Sequence, residues 1–169
     1  TAMDDVLYDK LSDGMVEAYN AHSKECLPKN CPRGDFLGCV VRFAGHDLMD
    51  VGVGGEGGMD GCMDFGNPDN RGLYGCMDGD NKMRTVYNAV CTSVSFADFA
   101  VIAAEALMAY TSTSPSETRE AFKKNFMWGR STRETCDHVE VQELPNPEDG
   151  CEGLSDVFID RVYRGYNYR

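Results

Sequence analysis

The chain is expected to be a mainly α, disulfide-stapled domain with long loops. Three observations predict this. Apolar residues recur at helical spacing in several separated segments. Strand signals are few and short. The 169 residues include eight cysteines, Cys26, Cys31, Cys39, Cys62, Cys76, Cys91, Cys136 and Cys151. Their number is even, and none forms a CxxC pair of the kind that holds zinc. With only three histidines available, a disulfide framework is the better reading of the cysteines, and it implies an oxidising compartment. Eight cysteines leave many connectivities open.

The elements follow in order. Val6, Leu7, Leu11, Met15, Val16 and Tyr19 share one face of a first helix over Met3 to Tyr19, weakened by Gly14. Cysteines and prolines make a loop of Cys26 to Arg33. A second helix spans Asp35 to Leu48, with Asp35 charging its N-terminus. The stretch VGVGGEGGMDG, Val51 to Gly61, lacks the preceding strand and following helix of a dinucleotide-binding loop. A third helix is expected over Arg71 to Val90, broken near Gly79. Ser95-Phe96-Ala97-Asp98 reads as a capping box opening a fourth helix, whose all-round apolar run to Tyr110 predicts burial. The loop TSTSPSET precedes a short polar helix, Glu117 to Phe126. The loop LPNPEDG leads to a last amphipathic helix, Gly153 to Tyr163.

Composition narrows function. A formal net charge of −12 repels nucleic acid and anionic membranes, so neither is an expected partner. No apolar run reaches the ~20 residues that cross a bilayer. The start at Thr1 is that expected of a processed, secreted protein, although no N-glycosylation sequon is present.

Arg42 and His46 stand four apart in the second helix, hence on one face, one turn apart. A guanidinium above an imidazole suits heterolysis of a peroxide. The imidazole moves a proton from one oxygen to the other, and the cation stabilises the departing oxygen. By spacing alone, such a pair is more often a solvated surface pair than a site.

The segment CVVRFAGHD resembles the distal helix of the plant, fungal and bacterial haem peroxidases. GGMDGCMDFGNPDNRGL, VSFADFAVIAAEALM, WGRSTR and LPNPEDGCEGLSDVF resemble the family's later segments, in family order. The pattern is nearest to the cytochrome c peroxidase, ascorbate peroxidase and fungal peroxidase branches. The resemblance implies that this chain is the distal half of the haem peroxidase fold. It makes Arg42 and His46 the distal pair, with Arg42 and Pro145 beside the cofactor, haem b. Asn70 becomes the acceptor for the other histidine nitrogen, against the plainer reading of a helix N-cap. It places Asp47, Gly58 and Asp60 at a calcium site, against that of a glycine-rich loop with surface acids; Cys62 stands where a serine ligand is expected.

The family's proximal histidine falls beyond RVYRGYNYR. The expectation is therefore a second polypeptide that supplies it, with Arg161 to Arg169 as a processing boundary. Gly45 replaces the family's aromatic residue before the distal histidine and opens space there. The implied substrates are hydrogen peroxide and a small, phenolic reducing donor. A catalytically degenerate structural or interaction domain of an extracellular assembly is the alternative, and a calcium-dependent binding module a third. Met59, Met63, Met77, Met83 and Met108 are expected as core filler. Trp128 is expected as a core anchor, and His22 and His138 as exposed.

Overall fold

The computed structural model describes residues 2–52, 57–136, 144–145, 150–155 and 157–159. His138 and the 161–169 terminus lie outside them. Six α-helices are present among the described residues: α1 (Ala2–Ala21), α2 (Pro32–Met49), α3 (Met83–Asn88), α4 (Phe96–Thr111), α5 (Pro115–Asn125) and α6 (Cys151–Ser155). Two 3₁₀ turns, Pro68–Asn70 and Leu73–Cys76, lie between α2 and α3. No strand occurs among the described residues; the sole bridge joins Leu27 and Asn30. The mainly α expectation therefore holds.

The core is built around α4. Its alanines and Phe99, Ile102 and Leu107 are buried on nearly every side, and α1, α2 and α5 surround it. Each large apolar side chain buried there contributes about 1.5–3 kcal/mol. Ser95 caps α4 by accepting from the Asp98 N–H at 3.0 Å. Asp98 does not return to the cap as a capping box requires. Its carboxylate instead accepts from Gly129 N at 2.8 Å and pairs with Arg130 Nη1 at 2.8 Å, fastening the WGR turn to the start of α4.

Gly14 has a packing role beyond its weak helix propensity. A Cβ there would lie 2.9 Å from Val86 Cγ1, so the missing side chain lets α1 approach α3. The long third helix expected over Arg71 to Val90 is replaced by the second 3₁₀ turn and the short α3. Left-handed backbone at Gly72 (φ +88), Gly79 (φ +117) and Asn81 (φ +57) interrupts the path, and such φ values cannot continue a right-handed helix. The last expected helix is described only as α6 and a π-type turn over 157–159.

Three disulfides close among the described residues: Cys26–Cys31, Cys39–Cys76 and Cys62–Cys136. Cys91 and Cys151 are exposed and outside any disulfide. This fits an oxidising compartment. Among the described residues no helix is long and apolar enough to cross a membrane.

Other expectations are corrected. Met63, Met77 and Met83 are core residues, but Met108 is exposed and Met59 only half-buried. Trp128 is a half-buried edge of the core, in T-shaped contact with Phe126. His22 is not solvated on all sides: its ring rests on Phe36 at 4.7 Å, and its Nε2 is 3.3 Å from the Asn81 carbonyl.

Candidate functional site

The site is built on α2, which starts with Pro32 at its first turn, where a missing N–H costs nothing. Asp35 accepts from the Cys31 N–H at 3.1 Å and so secures the helix entry. Phe36, Val40, Phe43 and Asp47 form the buried stripe. Arg42 and His46 fall on the outer face that this periodicity leaves over. Arg42 is exposed and His46 half-buried.

Opposite them runs the segment 64–76. Asn67, and not Asn70, caps its first 3₁₀ turn, accepting from Asp69 N at 2.9 Å. Asn70 is thereby released from capping. It is buried, and its amide nitrogen donates to the Asp64 carbonyl at 2.8 Å. That bond turns the amide oxygen toward His46, whose Nδ1 lies 2.8 Å away. An acceptor at this position fixes the proton on Nδ1 and leaves the Nε2 lone pair outward. Arg42 Nε donates to that Nε2 at 3.2 Å. Burial, and secondarily the Arg42 charge, hold His46 below the ordinary histidine range, against the Asn70 bond, which raises it. The imidazole is thus neutral and basic at Nε2 near neutral pH.

The rest of the guanidinium is tied down: Nη1 donates to the Arg71 carbonyl at 2.9 Å and Nη2 to the Asp69 carbonyl at 2.5 Å. The Cys39–Cys76 disulfide fastens the far end of the same segment to α2. Arg42, His46 and Asn70 therefore form one assembly. A Cβ at Gly45 would meet nothing within 4 Å, so the surface before His46 is open. Pro145 lies against Gly153 of α6 and shares no hydrogen bond with this trio.

On the inner face of α2, Asp47 is fully buried. Its Oδ2 accepts from Gly61 N at 2.9 Å, while its Oδ1 has no hydrogen-bond partner. Burial, with lesser help from the Asp60 and Asp50 charges, pushes Asp47 up to about 8. Asp60 caps its own turn through Cys62 N and pairs with Arg133 at 3.3 Å. Gly58 is buried, and its carbonyl accepts from Asp60 N. Gly61 has φ +72, and a Cβ there would strike Phe96 and Ala97 at 2.9–3.3 Å. The loop thus seats on the start of α4, and this brings Asp47, Gly58 and Asp60 into one neighbourhood. Cys62 is in a disulfide with Cys136 and offers no thiolate. No cluster of three His, Cys, Asp or Glu side chains suited to a metal occurs among the described residues; any cation here would lean on backbone oxygens.

The Asp64, Asp69 and Arg71 carbonyls were not foreseeable as site groups, because backbone acceptors leave no mark in a sequence. No family model, curated protein or solved structure matches this chain.

Proposed function

We propose that this chain is the distal half of a haem peroxidase fold and cleaves hydrogen peroxide at Arg42 and His46. The observation that carries the proposal is the bond pattern of His46: Nδ1 against the Asn70 oxygen, Nε2 against the Arg42 cation. A surface ion-pair partner has no need of a buried amide that sets its tautomer. This arrangement is a general base whose reactive nitrogen faces an electrophilic donor.

Haem b, when bound, supplies two electrons and the position at which peroxide binds. The chain's residues move the proton and stabilise the charge. An arriving peroxide displaces the Arg42 Nε–H from His46 Nε2. That nitrogen takes the proton of the near oxygen and returns it to the far oxygen, which leaves as water. Arg42 remains held by Asp69 and Arg71 and donates to the departing oxygen as negative charge develops. The open surface at Gly45 admits a small, phenolic donor, which returns the electrons.

Of the described histidines, His22 packs on Phe36 and His46 belongs to the distal trio. On the same reading, a second polypeptide would supply the histidine that holds the haem. Calcium beside Asp47 belongs to the same proposal. The buried Oδ1 without a partner supports it, with the Gly58 carbonyl and Asp60 as the nearest further oxygens. Secretion is proposed from the disulfides.

The visible spectrum of the native particle is the test. A Soret band that shifts on adding hydrogen peroxide is expected. If no band is present, the chain is the structural domain of an extracellular assembly that its disulfides and Gly45 also suit.

A further inference from the structure

Of the three disulfides among the described residues, Cys26–Cys31 differs from the others in access. Cys39–Cys76 and Cys62–Cys136 each have one end in the core, with Cys76 1% and Cys62 2% exposed. Cys26, by contrast, is exposed and Cys31 half-buried. The pair closes a turn in which Leu27 and Asn30 exchange both backbone hydrogen bonds, at 2.9 and 3.1 Å. Leu27, Pro28, Lys29 and Asn30 are all exposed. The two cysteines are 5 apart in sequence, against 37 and 74 in the other disulfides. A disulfide that closes a short loop removes the least freedom from the unfolded chain, so the fold opposes its opening least.

The two sulfurs are not equivalent. Cys31 is the N-cap of α2, and its side chain makes no cap hydrogen bond. Its Sγ lies 3.1 Å from the point where a Gly34 Cβ would stand, over the first turn of the helix. The first N–H groups of a helix lack partners within it, and a helix start favours negative charge. A thiolate on Cys31 is therefore stabilised where it forms, and a stabilised thiolate leaves faster. Asp35, which accepts from the Cys31 N–H at 3.1 Å, opposes that charge. Lys24 and Lys29 flank the pair, both exposed, against Glu25. The turn thus does not share the excess of acid behind the chain's net charge of −12, and an approaching thiolate is not repelled there.

We infer that Cys26–Cys31 is a site of thiol–disulfide exchange with small thiols, attacked at Cys26 with Cys31 as the leaving sulfur. A thiolate bonds to Cys26 Sγ, the Cys26–Cys31 bond breaks, and its electron pair goes to Cys31. A second thiolate then attacks the small-thiol sulfur of the mixed disulfide. A small disulfide departs, and Cys26 is left as a thiolate. Two small thiols lose two electrons, the protein disulfide gains them, and the two thiol protons pass to the two cysteines. The backbone bonds between Leu27 and Asn30 keep the cysteines close, so the exchange reverses readily. No step draws on haem or peroxide.

The test uses the full, unreduced chain, with Cys91 and Cys151 first blocked by iodoacetamide and glutathione as the thiol. Samples are quenched with N-ethylmaleimide, unfolded in urea and cut with trypsin, which separates Cys26 from Cys31 at Lys29. Peptide masses then show which disulfide opened and which sulfur carries glutathione. Cys26–Cys31 is expected to open several-fold faster than either other disulfide, with glutathione on Cys26 and maleimide on Cys31. Asp35→Asn, which keeps an acceptor for the Cys31 N–H, is expected to speed that opening several-fold. Glutathione on Cys31 in place of Cys26, or a Cys39–Cys76 or Cys62–Cys136 bond that opens as fast, overturns the inference. An Asp35→Asn chain that opens at the unaltered rate overturns it as well.

Discussion

Arg42 Nε and His46 Nε2 lie 3.2 Å apart on one face of α2, with the guanidinium gripped from behind by the carbonyls of Asp69 and Arg71. On the peroxidase reading proposed above, one group would be the base and the other the cation for a single bond-breaking step. In the haem-loaded particle, His46→Ala should slow the peroxide-driven Soret shift by ~10²–10⁴-fold, and Arg42→Ala by roughly 10²-fold. The double variant should fall well short of the product of the two, because both residues serve one transition state. Stopped-flow absorbance measures this without a reducing substrate. His46 is held below the ordinary histidine range, so the unaltered rate should stay flat through neutral pH, its acid limb below that of an unperturbed histidine.

Asn70→Ala should do less damage than His46→Ala in the same measurement. It removes the hydrogen bond that does most to raise His46 basicity, ahead of the Asp69 charge, and frees the ring to choose either tautomer. The same variant leaves the Asp64 carbonyl without its donor. Stability measured alongside by urea unfolding should therefore also decline, by about 1–3 kcal/mol. An Asn70→Ala chain as slow as His46→Ala would mean that Asn70 acts on peroxide directly.

How much of this was legible depends on the kind of signal. Arg42 and His46 could be found because a four-residue spacing in a helix is a geometric statement. The burial of α4 could be read from its composition alone. Asn70 could not be joined to His46 by spacing, since the two are 24 residues apart; only the resemblance suggested it. The third helix is shorter than the expected 71–90: the break expected near Gly79 is present, and left-handed Gly72 and Asn81, which the pattern does not announce, add two more. Ser95 was read correctly as a cap. The partner of Asp98 was not, because Gly129 and Arg130 are some thirty residues away. Arg42's grip on Asp69 and Arg71 uses backbone oxygens, which every residue has.

A thiol titration of the denatured, unreduced chain should find two thiols, those of Cys91 and Cys151, the other six cysteines being paired. Replacing Cys39 and Cys76 together by serine should cost about 2–5 kcal/mol in unfolding free energy. It should also slow the peroxide step, because that disulfide fastens the segment bearing Asn70 to α2. Finding eight thiols would remove the framework.

Asp98→Ala should be among the most destabilising single changes. The carboxylate is 5% exposed and serves Gly129 N, Arg130 N and the Arg130 guanidinium. Its removal leaves the Gly129 and Arg130 backbone N–H groups without their acceptor, at about 1–3 kcal/mol. Urea midpoints should show this, and Arg130→Ala should be milder because the Asp98 carboxylate keeps the Gly129 and Arg130 backbone N–H groups. Comparable loss in the two variants would place the energy in the ion pair and not in the backbone anchor.

His22 should set part of the chain's acid sensitivity. Its ring lies on Phe36, which also has Lys82 Nζ 5.2 Å from its ring centre. Burial first, then the Lys82 and Arg33 charges, lower its pKa below the ordinary 6.5, against the Asn81 hydrogen bond. The unfolded chain therefore binds more protons than the folded chain at mildly acidic pH, and stability rises with pH there. The contribution is present in full above about pH 6.5 and is lost as pH falls through the depressed folded value. His22→Gln keeps a donor for the Asn81 carbonyl but cannot be protonated. Its urea midpoint should fall less than that of the unaltered chain between pH 7.5 and pH 5, and the gap should narrow in high salt, which screens Lys82 and Arg33. His46 and the acidic residues titrate in both chains, so the difference between them isolates His22. Parallel curves would mean that the ring is hydrated when folded, and that its contact with Phe36 does not exclude the charged form.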